Sequence, residues 1–214
     1  MLTKRLEKLV SVVPHCNTLA DVGCDHGYVG IETLARGIVK KVVFVDVSPK
    51  SLDKARQNCP AEYLPVAKYV CGDGLGDIVA DTAIIAGMGG LEIMSILTSA
   101  KHLPKQLVLQ PMRNQKDLRA YLTQNYEIVS DEKFFDYKFY DVIVANKSNT
   151  PTTLTEQQLE FGKTNLETPS QDFLDFLNTE INKLKNIPIF SENASLQQRV
   201  ASLEQVLADV SAKA

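Results

Sequence analysis

Residues 19–30 read LADVGCDHGYVG. The stretch opens on an apolar run of one buried strand's length and passes into a turn carrying Gly23, Gly27 and Gly30. Glycine permits a tight strand-to-helix turn and lets backbone N–H groups approach a ligand with no Cβ in the way. If this is the first strand of a parallel sheet, the same alternation should recur downstream, and it does. KVVFVDV (41–47), AKYVCGD (67–73), DTAIIAG (81–87) and KQLVLQP (105–111) have the length and bounding turn residues of buried strands. Between them IETLARGI (31–38), SPKSLDKARQNC (48–59) and GGLEIMSILTSAK (89–101) space their apolar residues as helices do. Ser48 and Pro49 are suited to the N-cap and first position of the second of these. The expected fold class is α/β, a parallel sheet covered by helices on both faces. NYEIVSDEKFF (125–135) and KFYDVIVANK (138–147) follow each other with no helix between, and a hairpin closing one sheet edge is expected there.

The pattern changes at SNTPTTLTEQQ (148–158), which sets a boundary between residues 1–150 and 151–214. Beyond it the strand-like runs stop. QDFLDFLNTEINKLKN (171–186) and NASLQQRVASLEQVLADVSAKA (193–214) each carry one apolar stripe, and the Ile187-Pro188 step separates them. The expectation is an antiparallel helical hairpin that either stabilises or dimerises the protein, or touches its substrate. Residues 151–214 hold nine acidic and five basic side chains, whereas 1–150 is close to neutral. A nucleic-acid partner would therefore need a local basic patch, because composition announces none. No apolar run approaches membrane-spanning length, MLTKRLEKLV lacks a signal-peptide core, and no membrane association is expected. Cys16, Cys24, Cys59 and Cys71 form no CxxC pair, and structural thiols in a reducing cytoplasm are expected, with no metal site.

Acids stand at successive strand ends. Asp21 precedes the turn, Asp46 ends the second strand 23 residues beyond Gly23, and Asp73 follows the third in GDGL with Gly74 beside it. Asp46 is placed to take both hydroxyls of a ribose, and Asp73 to accept from an adenine amino group. Ordinary strand-end carboxylates would look the same one at a time; three in succession argue for a shared ligand. A dinucleotide fold prefers G-x-G-x-x-G around a pyrophosphate. Here residue 25 is Asp, which would repel a pyrophosphate but could accept from a methionine ammonium. S-adenosyl-L-methionine is therefore favoured over NAD. At the fourth strand end Ala86-Gly87-Met88-Gly89-Gly90 offers backbone and a thioether to a flat base, although Gly89 and Gly90 would also serve helix packing. Gln110, ending the fifth strand, could bond a base edge.

RLEKLVSVVP (5–14), LADVGCDHGYV (19–29), GDGL (72–75), IIAGMGG (84–90) and LVLQP (107–111) together resemble the bacterial tRNA methyltransferases that act on N1 of the adenine at position 22. In the helical tail the resemblance is architectural rather than residue by residue. It implies a Rossmann-like class I methyltransferase core with a C-terminal coiled-coil-like helical domain. It further implies S-adenosyl-L-methionine as donor, tRNA as acceptor, no metal and a cytoplasmic enzyme, for which a monomer is favoured. By position, Asp21, Gly23, Gly27, Asp46, Asp73, Gly74 and Gly87 are the expected cofactor residues. Asp25, His26, Met88 and Arg5 are the expected catalytic ones. Asp25 could stabilise charge growing on the adenine or take a proton from its amino group. His26 could orient the base, contact phosphate or hold the loop, and Tyr28 could stack on the target instead. Arg5 could reach a phosphate or carboxylate, or end in a surface ion pair. Rival readings are a small-molecule methyltransferase, an NAD-dependent oxidoreductase and a non-enzymatic RNA-binding or scaffold protein.

Overall fold

A computed structural model of the chain describes residues 2–213; Met1 and Ala214, the outermost residues of the expected core and tail, lie outside that range. In chain order the elements are α1 (Lys4–Ser11), β1 (Cys16–Val22), α2 (Tyr28–Ala35), β2 (Val39–Asp46), α3 (Pro49–Asn58) and β3 (Ala67–Cys71). There follow β4 (Thr82–Met88), α4 (Gly90–Ser99), β5 (Gln106–Pro111), α5 (Gln115–Leu122), β6 (Tyr126–Asp136) and β7 (Lys138–Lys147). The tail contains α6 (Glu156–Phe161), α7 (Lys163–Glu167), α8 (Gln171–Lys185) and α9 (Ala194–Ser211). Ser48 does cap α3, its side chain accepting from the Ser51 N–H, with Pro49 in the first turn.

The seven strands form one sheet in the order β3-β2-β1-β4-β5-β7-β6. The first five run parallel to their neighbours. The hairpin enters with its second strand inside: β7 pairs antiparallel with β5, and β6 takes the edge. Side chains alternate between two apolar cores. Leu19, Val42, Phe44, Ile84 and Val108 face α1, α2 and α3, meeting Leu9, Val10, Val29, Leu34 and Leu52. Ala20, Val22, Val45, Ile85 and Leu109 face α4 and α5, meeting Ile93, Leu97, Leu118 and Leu122. Burial on both faces is why these strands read as nearly continuous apolar runs. The strand order reverses between β1 and β4, where a crevice opens beyond the carboxyl ends of the strands.

The tail is more than the two long helices legible in sequence. Phe173, Leu177 and Ile181 of α8 do pack with Val200, Leu203, Val206 and Val210 of α9, but Phe161 of α6 shares their core. The short α6 and α7, which the sequence pattern did not reveal, join this unit to the sheet. At the joint Arg119, fully buried on α5, donates from Nε and Nη2 to both carboxylate oxygens of Asp131 (2.7 and 2.9 Å) and from Nη2 to Asp141 (2.8 Å). Its Nη1 donates to the carbonyl oxygens of Leu159 and Glu160 at the end of α6. Lys133 bonds the other Asp141 oxygen at 2.7 Å and lies 4.2 Å over the Phe176 ring of α8. Burial alone would lower the Arg119 pKa, but Asp131 and Asp141 more than reverse this and hold it above its ordinary value. Removing one member of such a buried set leaves uncompensated charge. Arg119→Ala should lose about 3–5 kcal/mol in urea unfolding monitored by circular dichroism. Lys116→Ala, which breaks the exposed pair with Glu156, should leave the midpoint nearly unchanged.

Candidate active site

The β1–α2 loop is built on alternating left-handed backbone: Gly23 (φ 70°), Asp25 (φ 46°) and Gly27 (φ 70°). Aspartate tolerates that region better than most residues with a Cβ. The loop folds back over β2, with the Gly23 and Cys24 N–H groups both donating to the Val45 carbonyl at 2.8 and 3.1 Å. The Asp25 N–H donates to Asp46 Oδ2 (3.0 Å), and the Ser48 N–H donates to Oδ1 (2.9 Å). Asp46 thus anchors the ends of β1 and β2 together, and each of its oxygens retains a further lone pair.

Beside this loop, β4 ends in a bulge. Its register with β5 shifts between Ala86 and Met88, and Gly87 there has φ 80°. The bulge carries Met88 across Gly23 so closely that a Cβ on Gly23 would stand 2.2 Å from the Met88 methyl carbon. Two cavities open at this crossing. The larger, about 430 Å³, is lined by Gly23, Asp46, Val47, Asp73, Gly74, Gly87, Met88 and, from α4, Glu92 and Ile96. The smaller, about 250 Å³, is lined by Arg5, Asp21, Gly23, Cys24, Asp25, His26 and Tyr28. Val22, Gly23 and Ala86 belong to both walls, so the cavities meet at the ends of β1 and β4.

The expected site residues thus converge, with one exception. Gly27 lines neither cavity. Its N–H donates to the Cys24 carbonyl (2.7 Å), and a Cβ there would meet Ala55 at 2.9 Å and Phe44 at 3.1 Å. Close packing of the loop on α3, rather than ligand contact, accounts for that glycine. Gln110 also departs from expectation. It is fully buried, its Oε1 accepts from Arg5 Nη1 (2.9 Å) and its amide donates to the Pro111 carbonyl, so it positions an arginine instead of facing a base. Among the described residues Arg5 accordingly makes no ion pair: its backbone N–H donates to Asp136 and its guanidinium lies 5.8 Å from the Tyr140 ring. Sequence reading missed Lys54, 3.8 Å from Asp25, and Asn58, which donates to the His26 carbonyl. Both lie on the exposed face of α3, where polar residues carry no signal until the fold brings the loop beside them.

Asp25 is largely exposed and lies 2.7 Å from His26 Nδ1. A carboxylate only accepts, so Nδ1 carries the hydrogen between them. The imidazole stacks on Tyr28 with centroids 5.3 Å apart. Asp21 behaves differently. Burial pushes its pKa up to about 7, against the pull of the Gly30 N–H bonded to it at 3.0 Å, and the charge of Asp46 adds to the rise. Burial and the neighbouring acids also push the Cys24 thiol up, which excludes it as a nucleophile at neutral pH. Acids lining a cavity of this size suit a cationic ligand with a ribose and an amino group. The residues present therefore fit S-adenosyl-L-methionine, whose sulfonium and ammonium are positive and whose ribose and adenine need acceptors.

Residues 2–143 match the family described as a methyltransferase domain. A Mycoplasma pneumoniae protein provisionally named a tRNA methyltransferase is 32% identical over 150 residues, covering 66% of this chain and 70% of that one. The Bacillus subtilis tRNA (adenine(22)-N(1))-methyltransferase is 29% identical over 153 residues, covering 67% of this chain and 64% of that one. Among solved structures, a Streptococcus pneumoniae protein provisionally named a tRNA (m1A22) methyltransferase, in complex with S-adenosyl-L-methionine, superposes with a TM-score of 0.85. It is 28% identical, and the alignment covers 97% of this chain and 100% of that one.

The raised pKa of Asp21 has a consequence for stability. Folding favours its protonated form, so the stabilisation is complete below about pH 4 and is lost as pH rises toward and through about 7. Asp21→Asn mimics the protonated carboxyl and still accepts from Gly30. Without ligand, the variant should match the wild type in Tm near pH 4 and exceed it increasingly up to pH 8, by up to about 4 kcal/mol in unfolding free energy.

Proposed function

We propose, on the premise that the chain belongs to the methyltransferase-domain family, that it is an S-adenosyl-L-methionine-dependent methyltransferase acting on N1 of adenine 22 in tRNA. One observation carries the reading: a cavity bearing Asp46 and Asp73 meets one bearing Asp21, Asp25, His26 and Arg5 at the Gly23–Met88 crossing. The reading includes a catalytic unit of residues 1–150, a helical unit of residues 151–214, and action as a monomer in the cytoplasm. Among the described residues no helix is long and apolar enough to cross a membrane.

In this reading Asp46 holds the ribose hydroxyls, Asp73 accepts from the adenine amino group, and Val47 and Ile96 line the cavity around that ring. Gly74 and Gly87 let backbone approach the ligand. The zwitterionic amino-acid end needs both signs of charge, and the smaller cavity supplies them in Arg5 and Asp21. The cofactor, when bound, supplies a methyl group on a positively charged sulfur.

The protein's own work is chiefly positioning. N1 of adenine has an in-plane lone pair and needs no deprotonation, so orientation of the base can supply much of the rate. N1 lies on the Watson–Crick edge, and the nucleotide must leave its stack to enter the cleft. Met88 and the adjacent backbone offer a flat wall to the base. Asp25, held by its hydrogen bond to His26 and its ion pair with Lys54, stabilises the positive charge the ring acquires or takes a proton from its amino group.

Incubation with labelled S-adenosyl-L-methionine and unmodified tRNA, followed by nucleoside mapping, should place label on N1 of adenine 22. Label on another base or position would overturn that specificity. Asp25→Ala should lower the single-turnover rate about 100-fold while cofactor affinity stays within error. Equal loss of cofactor affinity would instead make Asp25 a binding residue.

A further inference from the structure

The charges around the cleft are unevenly distributed. Asp25, Asp46 and Asp73 occupy the ends of β1, β2 and β3, on the side read above as the cofactor's. On the β4–β5–β7 side stand the cations Arg5, Arg113 and Lys138, with Asp136 among them. Lys138, opening β7, lies 5.2 Å from the Tyr140 ring, which Arg5 approaches at 5.8 Å from its own position. Arg5 Nη1 lies 3.8 Å from where a Cβ of Gly87 would be. Two residues on, about 7 Å of extended chain, Arg113 crosses Gly89, its Nε 2.9 Å from where that Cβ would stand.

Arg113 is held in place by its backbone. The Met112 N–H donates to the Met88 carbonyl and the Gly90 N–H to the Arg113 carbonyl, both at 2.8 Å, tying the segment after β5 to the AGMGG turn. Its guanidinium is exposed and forms no ion pair among the described residues, and the same is true of the Lys138 ammonium. Asp136, an acid within this stretch, accepts from the Arg5 backbone N–H. Tyr137, beside Lys138 at the hairpin tip, is 93% exposed and has φ 61°. A bulky residue held left-handed and in water is costly for the fold alone. An aromatic ring among unpaired cations is the composition of a surface that meets single-stranded or looped nucleic acid.

We propose that Arg113 and Lys138, on either side of Arg5, bind phosphodiester groups of the tRNA that flank the target nucleotide, with Tyr137 against an adjacent unpaired base. This inference rests on the tRNA reading above. It supplies the local basic patch that a chain of net charge −3 otherwise lacks.

The test measures tRNA affinity against salt concentration, with S-adenosyl-L-methionine affinity as the check on folding. Arg113→Ala/Lys138→Ala should bind tRNA about tenfold more weakly near 0.1 M salt, and the slope of log K on log salt should fall by about 1 per removed contact. Cofactor affinity should not change, and Arg113→Gln/Lys138→Gln should behave alike. Lys40→Ala/Lys41→Ala removes equal charge from the opposite end of β2 and should leave the slope intact. An unchanged slope in the first pair, or an equal loss in the control pair, would overturn the proposal while leaving the methylation reading standing. A wild-type protein that neither binds nor methylates tRNA would overturn both.

Discussion

The crossing of Met88 over Gly23 is the contact on which the active-site architecture depends. β1 and β4 are parallel neighbours, and the backbone must leave both strand ends in different directions to open a crevice. Gly87 lets β4 bulge at that point, and the absence of a Cβ on Gly23 lets the Met88 methyl lie against the turn. The crevice holds two cavities that share Val22, Gly23 and Ala86, with Met88 lining the larger. A side chain at residue 23 would have to occupy the space of the Met88 methyl, in a backbone region L residues seldom adopt.

The electrostatics follow from the same geometry. Three strand ends deliver carboxylates to the crevice, and α1, the segment after β5 and the hairpin bring Arg5, Arg113 and Lys138 near it. A cationic cofactor and an anionic polymer can then approach one another without competing for the same charges. Burial of Asp21 beneath the loop raises its pKa to about 7. A neighbouring positive ligand would favour its ionised form.

The helical tail is attached by charge as well as by apolar packing. Arg119 satisfies two buried carboxylates and two backbone carbonyls from three separate parts of the chain. Buried ion sets of this kind contribute little net stability compared with an apolar core, but they tolerate few alternative arrangements. The tail's acidic composition has no bearing on the cleft in this arrangement, because the cations that border the cleft come from α1, the AGMGG–Arg113 contact and the hairpin.

Much of this was legible in the sequence. Strand and helix alternation from Leu19 to Lys147 dictated the α/β core, because strands buried on both faces must be apolar throughout. Asp46 and Asp73 could be assigned to strand ends from spacing alone, and Gly23 to a turn, since these are local properties. The packing of Gly27 against Ala55 and of Gln110 against Arg5 was not legible, because these partners are distant in the chain and no local signal announces them. For the same reason α6 and α7 went unseen: they are too short to show periodicity, and they are held by Arg119, Thr164 and Asn165 rather than by a stripe of their own. The sequence by itself thus determined the sheet, the glycine turn and the acids at the strand ends, whose signals lie within a few residues. Tertiary structure decided which glycine faces a ligand, where the tail attaches and how positive charge gathers beside Met88, because each depends on side chains that meet only when the sheet is assembled.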